Sequence, residues 1–289
     1  MELLALMLIL TATFCWAVAQ IIGKIALKGI ETTLFNAIRF SAVIPFLLLV
    51  AFLTGGWSSV RLSAPLLVAI LSGALGMFCG CQLFFYLMKR GAAHRIIPTA
   101  NSHPFWIIFL AVILLGEEIK IFLPVSAVLI FLGSVLIAVR EKTGGKSKYW
   151  RWEIPLACFV GFLWGFATIL SKYCLNEGMA FSALILIQVV VAAASFSFAA
   201  TVGGFWKNSK NLKWSTGLSV LSGAMGLLIG EQIYLLALRI EKASTLGPLM
   251  GGTILFGFLL SVFLLKEHST KKAILGTAFI LGGIFLVAI

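Results

Sequence analysis

Apolar residues run along this chain in blocks about 20 long, broken by short polar stretches rich in Lys, Arg, Glu and Gly. The blocks neither alternate with period two, as a half-buried strand would, nor keep their apolar residues to one helical stripe. They are apolar all round, as a helix must be when lipid surrounds it. A hydrocarbon core about 30 Å thick takes about 20 residues of α-helix, because each backbone N–H and C=O there has to be satisfied within its own segment. On that measure the pattern predicts ten spanning helices, at 3–24, 34–54, 64–88, 96–115, 121–139, 153–174, 181–203, 214–238, 244–265 and 271–289.

The order of residues repeats. Phe14–Leu27 aligns without gaps to Phe162–Leu175, with Phe, Trp, Ala, Ile, Lys and Leu recurring in register. In the third and eighth blocks Leu71–Gln82 matches Leu221–Gln232 at seven of twelve positions, and further on Pro98 meets Pro248, Glu117 meets Glu267 and Gly133 meets Gly283. The offset is 148 residues at first and 150 later, which a two-residue insertion explains. The longest strongly polar connection, 140–152, falls almost at the midpoint. The expected organisation is a first five-helix repeat over 1–140, a polar link over 141–152 and a second five-helix repeat over 153–289. Five is odd, so the second copy must enter the bilayer from the other side. The fold class expected is therefore an all-α membrane protein of ten transmembrane helices, arranged as two inverted five-helix repeats about an axis in the membrane plane.

Composition agrees with this and adds a direction. The chain is 61% hydrophobic and 11% charged, with a mean hydropathy of +1.09, where a soluble domain carries about 25% charged residues. The 22 Lys and Arg against 10 Glu, with no Asp, fall mostly between apolar blocks. They read as cytoplasmic loop charges of a membrane protein rather than as a nucleic-acid surface. Sixteen basic residues lie in loops after odd-numbered blocks and five after even-numbered ones, which by the positive-inside rule places both termini outside the cytoplasm. Met1 and Glu2 lead straight into the first block without a basic leader or cleavage site, so that block is expected to stay as a span. All five cysteines sit in apolar blocks without a C-x-x-C pair and read as small packing residues, neither a disulfide frame nor a metal site.

Charged and polar residues at bilayer depth are costly and are kept for a reason. Glu231 is the clearest: it precedes Arg239 by eight residues, about 12 Å of helix, and Cys81 occupies its place in the first copy. It reads either as a carboxylate that carries a proton or meets a cationic group of a substrate, or as half of a fixed ion pair with Lys172 or Lys24. Lys24 and Lys172 are equivalent, each eight residues after Trp16 or Trp164. They either snorkel to the headgroups or take part in gating or in holding anionic groups. The two tryptophans, about 13 residues into their blocks, read as a cavity wall or as interfacial anchors. Arg39, close to Glu31 and Asn36, reads first as a snorkelling or loop-paired residue, and stays among the candidates for the site. Gln82 and Gln232 are matched amides that either join helices or line the cavity. Asn101 and His103 follow Pro98, where a bent helix frees backbone carbonyls near the midplane; His103 could titrate, or serve as a hydrogen-bonded packing residue. Gly73, Gly76 and Gly80, repeated as Gly223, Gly226 and Gly230, read as positions of close helix packing. Glu117 and Glu267 read as helix-terminus residues rather than proton carriers.

Trp-x7-Lys in the first and sixth blocks, Gly-rich third and eighth blocks, and Pro-Phe-Trp-x9-Gly-Glu-Glu from Pro104 to Glu118 resemble the EamA-type members of the drug/metabolite transporter superfamily. The resemblance covers nearly the whole chain. It implies an inverted pair of halves around a central cavity, in the cytoplasmic membrane, moving small metabolites, often amino acids, outward. It also implies cytoplasmic termini, against the charge count. The chain departs from symmetry where Gln188 stands in the second half for Arg39, and Gly251 and Gly252 lie near the place of Pro104.

The function expected is a secondary transporter that moves a small polar or amphipathic metabolite by alternating access. Its partners would be that substrate, the lipid bilayer and protons as a coupling ion, with no nucleic acid. No cofactor, metal or catalytic residue is expected: there is no Asp for a diaspartyl site, no H-E-x-x-H, no G-x-S-x-G and no G-x4-G-K-[ST]. The rival readings are a membrane-embedded enzyme and a passive channel.

Overall fold

A computed structural model describes residues 3–91, 93–118, 121–138, 150–205, 212–266 and 271–288. Eight helices among the described residues are long and apolar enough to cross a membrane. They are α1 (Leu3–Ala26), α2 (Thr32–Leu53), α3 (Ala64–Arg90), α4 (Ile96–Leu115), α6 (Trp152–Asn176), α7 (Phe181–Val202), α8 (Lys213–Ile240) and α9 (Ala243–Leu265). Two shorter apolar helices, α5 (Phe122–Ile137) and α10 (Ile274–Leu286), fall where the fifth and tenth blocks are predicted. The polar link between the halves lies outside the described residues over 139–149, as does Glu267.

The chain is thus an all-α, multi-pass membrane protein. Large apolar side chains face outward: Phe52, Leu53, Phe198, Val202 and Phe263 are each more than two-thirds exposed. In water such a surface would drive aggregation; against acyl chains it is the natural exterior.

Several spans are interrupted where the sequence removes or weakens a helical hydrogen bond. In α2 the helix restarts at Ile44 with Pro45 in its first turn, and in α4 it restarts at His103 with Pro104 in its first turn. Proline has no N–H and suits a first turn, so the break falls just before it. α9 is interrupted at Met250–Gly251, after Pro248. α3 and α8 instead pass through π-helix, over Gly73–Gly80 and Ala224–Gly230, at matching places in the two copies.

The packing crosses between halves. α1 lies on α8 and α9, α6 lies on α3 and α4, α2 lies on α7, and α5 lies on α10. Glycines set the closest approaches: a Cβ added at Gly133 would fall 2.5 Å from the Gly276 carbonyl oxygen, and one at Gly276 would fall 2.5 Å from that of Gly133. Ser126 donates to the Gly283 carbonyl at 2.7 Å in the same seam. Beside Gly73 runs the backbone of Gln188, and beside Gly223 the backbone of Arg39, so α3 meets α7 and α8 meets α2 main chain to main chain. Equivalent serines tie the innermost helices together, Ser72 to the Ala167 carbonyl at 3.0 Å and Ser222 to the Ala19 carbonyl at 2.9 Å.

Candidate functional site: a polar cavity between the halves

The helix breaks and π segments surround a cavity of about 120 Å³, room for several waters or a compact solute. Trp16 and Gln20 reach it from α1, Arg39 from α2, and Asn101 and His103 from the break in α4. Trp164, Thr168 and Ser171 reach it from α6, Gln188 from α7, and Glu231 and Tyr234 from α8 just past the π segment. A π turn bonds residue i to i+5 and displaces the helix that follows, which is how a span can turn Glu231 and Tyr234 inward without a proline.

Two opposite charges face this space. Arg39 is 6% exposed, and its guanidinium lies 5.0 Å from the Phe85 ring centroid and 5.3 Å from that of Phe40, cation–π contacts that offset part of its desolvation. It interacts with Cys81 and Glu231, while its Nε and Nη1 meet no hydrogen-bond partner among the described residues. The Trp16 indole N–H interacts with the Glu231 carboxylate. Among the described residues the ion pair closer than 4 Å is Lys89–Glu31 at 3.2 Å, not one with Glu231. Neither Lys24 nor Lys172 is paired with this carboxylate.

The remaining walls are aromatic and neutral. Trp16 packs on Tyr234 with ring centroids 5.0 Å apart, and Trp164 packs on Phe84 at 5.1 Å. The Trp164 ring N–H donates to the Gly76 carbonyl at 3.1 Å, and Tyr234 donates to Thr168 at 3.0 Å. His103 stands edge-on to Trp164, 6.0 Å between centroids, with no side-chain hydrogen-bond partner at either ring nitrogen among the described residues. Asn101 donates to the Ile97 carbonyl at 2.8 Å and reaches the Gln20 amide oxygen at 3.5 Å.

Of the residues singled out from the sequence, Glu231, Arg39, Trp16, Trp164, Asn101 and His103 come together on the cavity. Lys24, Lys172, Gln82 and Gln232 do not line it. The Lys24 ammonium donates to the carbonyls of Met88 and Gly91, and that of Lys172 to the carbonyls of Leu238 and Glu241 at 2.8 and 2.9 Å. Each lysine therefore caps the last carbonyls of a spanning helix, α3 or α8, where the helix has no N–H of its own to offer and its dipole favours a cation. Gln82 accepts from Asn36 at 3.1 Å and donates to Thr33 at 2.8 Å, joining α3 to α2. The Gln232 amide is buried with no partner among the described residues. Glu117 caps a helix start: its two oxygens accept from the backbone N–H groups of Ala243 at 3.1 Å and Ser244 at 2.9 Å.

Arg39 differs from its first reading. Glu31 pairs with Lys89 and Asn36 with Gln82, and the face of α2 that carries Arg39 packs on α8 rather than toward the headgroups. Gln20, Thr168 and Tyr234 were not anticipated. A signal existed for two of them, since Gln20 and Thr168 lie four residues after the tryptophans and so on the same helix face. Among the described residues no group of three or more His, Cys, Asp or Glu could hold a metal ion.

An all-α bundle that holds a polar cavity among its membrane-spanning helices offers a small polar solute a place to bind within the membrane. The sequence profile of the EamA-like transporter family matches the chain twice, over residues 3–139 and 151–289. The chain belongs to that family, and it is a transporter of the cytoplasmic membrane rather than an enzyme. It is 21% identical over 288 residues to a protein of Archaeoglobus fulgidus described as an uncharacterized transporter, with 99% of this chain and 98% of that one covered. A protein known from a crystal structure shares the fold with a TM-score of 0.77 at 17% identity, over 98% of this chain and 95% of the other.

Proposed function

We propose that the chain is a secondary transporter that carries a small polar or amphipathic metabolite, of the amino-acid kind, outward across the cytoplasmic membrane by alternating access. In this reading ten spanning helices form two inverted five-helix repeats, over 1–140 and 153–289, with the cavity as the carrying site and Glu231 as a group that exchanges protons. The observation that supports it best is that the two halves pack around the cavity through equivalent contacts. Trp16 and Trp164, Ser72 and Ser222, and the lysine caps at the ends of α3 and α8 each recur on equivalent partners. Two copies with similar contacts between their helices can exchange conformations, and that exchange opens a central site first to one side and then to the other.

Counterflow in proteoliposomes tests this. Vesicles preloaded with a transported solute are expected to take up the labelled solute faster than empty vesicles, and transiently against its gradient. Equal uptake with and without preloading would refute a carrier and favour an open channel.

A further inference from the structure

The cavity has two corners at equivalent places in the two halves, and they have become chemically unlike. One groups Trp164, Gly76 and Ser72 with Gln188; the other groups Trp16 and Gly226 with Arg39. At the Gln188 corner the amide nitrogen is tied down, donating to Ser72 and to Ser171, each at 2.8 Å, while its neutral oxygen meets no partner among the described residues. At the Arg39 corner the equivalent of Ser171 is Gly23, which has no hydroxyl to offer. Arg39 is 6% exposed and its Nε and Nη1 meet no partner among the described residues. A guanidinium stays charged wherever it is buried, so unsatisfied donors of this kind are costly unless something anionic enters to meet them.

The place of that anion has a cation-binding neighbour. Arg39 Nη2 lies against Gly226, whose added Cβ would come within 3.0 Å of it, and Glu231 follows five residues later, one π turn along the same helix. Cys81 holds the matching position in the first half. No ion pair closer than 4 Å joins Arg39 to Glu231, and both line the cavity.

Resting on the transporter reading above, we infer that the Arg39 corner is the receptor for a small amphoteric solute, its carboxylate on the Arg39 guanidinium and its ammonium on Glu231, while the Gln188 corner is a fixed neutral wall. The solute then binds in one orientation. Arg39 comes from the first half and Glu231 from the second, so a bound solute bridges the two bodies that have to move against each other. Planar, paired donors make arginine suited to a carboxylate, and a charge-assisted hydrogen bond in a water-poor site is strong.

Binding to the purified, detergent-solubilised protein tests this without transport, by the fluorescence of the cavity tryptophans or by calorimetry. The probes are a set of α-amino acids, each with its methyl ester, which lacks the anion, and its N-acetyl form, which lacks the cation. The wild-type protein is expected to bind the best free acid about 30-fold tighter than its ester. In Arg39→Gln that ratio is expected to fall to near one, with Arg39→Lys in between; in Glu231→Gln the preference over the N-acetyl form is expected to vanish. A ratio that survives in Arg39→Gln, or a wild-type protein with no preference for acid over ester, would overturn the inference. Because the wild-type ratio needs no variant, a poorly folding Arg39→Gln does not block the test. If esters or uncharged solutes show counterflow while no acid is preferred, this inference fails and the transporter stands. If acids bind with the expected ratio and show no counterflow, the receptor stands and the transporter fails.

Discussion

Glu231→Gln is expected to abolish solute movement driven by a pH gradient, down to the level of protein-free liposomes, while the protein stays folded. Glutamine keeps the shape of the side chain and an oxygen for the Trp16 indole N–H, but it neither gains nor loses a proton. Removing the carboxylate takes a countercharge from the buried Arg39 guanidinium, so a lowered melting midpoint is expected with the fold retained. If the carboxylate also receives an ammonium, proton and solute compete for one site, and that competition is itself a means of coupling their movements in opposite directions. The measurement is uptake into proteoliposomes under an imposed pH gradient, with a melting curve as the check on folding. Uptake equal to that of the wild type would retire Glu231 as the proton carrier.

The second large effect concerns the glycines. A Cβ at Gly223 would come within 2.4 Å of the Arg39 carbonyl oxygen, and one at Gly73 within 2.8 Å of the Gln188 Cα. Both obstacles are backbone, which cannot step aside as a side-chain tip can. Gly223→Ala and Gly73→Ala are each expected to cost about 1–3 kcal/mol by forcing the helices apart, seen as a lowered melting midpoint in detergent. Gly223→Ala should also weaken transport in the fraction that folds, because it displaces the residue that carries the cavity's guanidinium. Gly217 is the control, since nothing lies within 4 Å of its added Cβ. On the same helix Gly217→Ala is expected to stabilise by about 0.4–1 kcal/mol, by restricting the unfolded chain. A Gly223→Ala protein that melts with the wild type would mean that α2 and α8 do not meet as closely as described.

What could be read in the sequence and what could not divide along physical lines. The spans were legible because lipid imposes a length and an all-round apolar character that no soluble helix has to meet. Equivalence between the halves was legible too, in the recurrence of Trp-x7-Lys. The partners of those lysines were not, because a backbone carbonyl at a helix end carries no letter of its own. Gln82 and Gln232 look alike in sequence, yet the first has Thr33 and Asn36 to bond and the amide of the second meets no partner among the described residues. The π segments were hidden for a further reason: three recurring glycines permit a close approach without announcing a change in helical pitch. That change rotates whatever follows, including Glu231, so the face a residue presents cannot be counted off at 3.6 residues per turn through such a segment. Arg39 reads as a surface charge by its distance from Glu31, and only the packing of α2 on α8 turns it inward.

Opposing insertion of the two halves is tested most directly by single cysteines at Lys28, just past α1, and Asn176, the last residue of α6, which are equivalent, exposed positions. In a background with the five native cysteines replaced, a membrane-impermeant maleimide applied to intact cells is expected to label one of the two sites at once and the other only after the membrane is opened. Labelling of both from the same face would contradict inverted repeats, and with them alternating access by exchange of the halves.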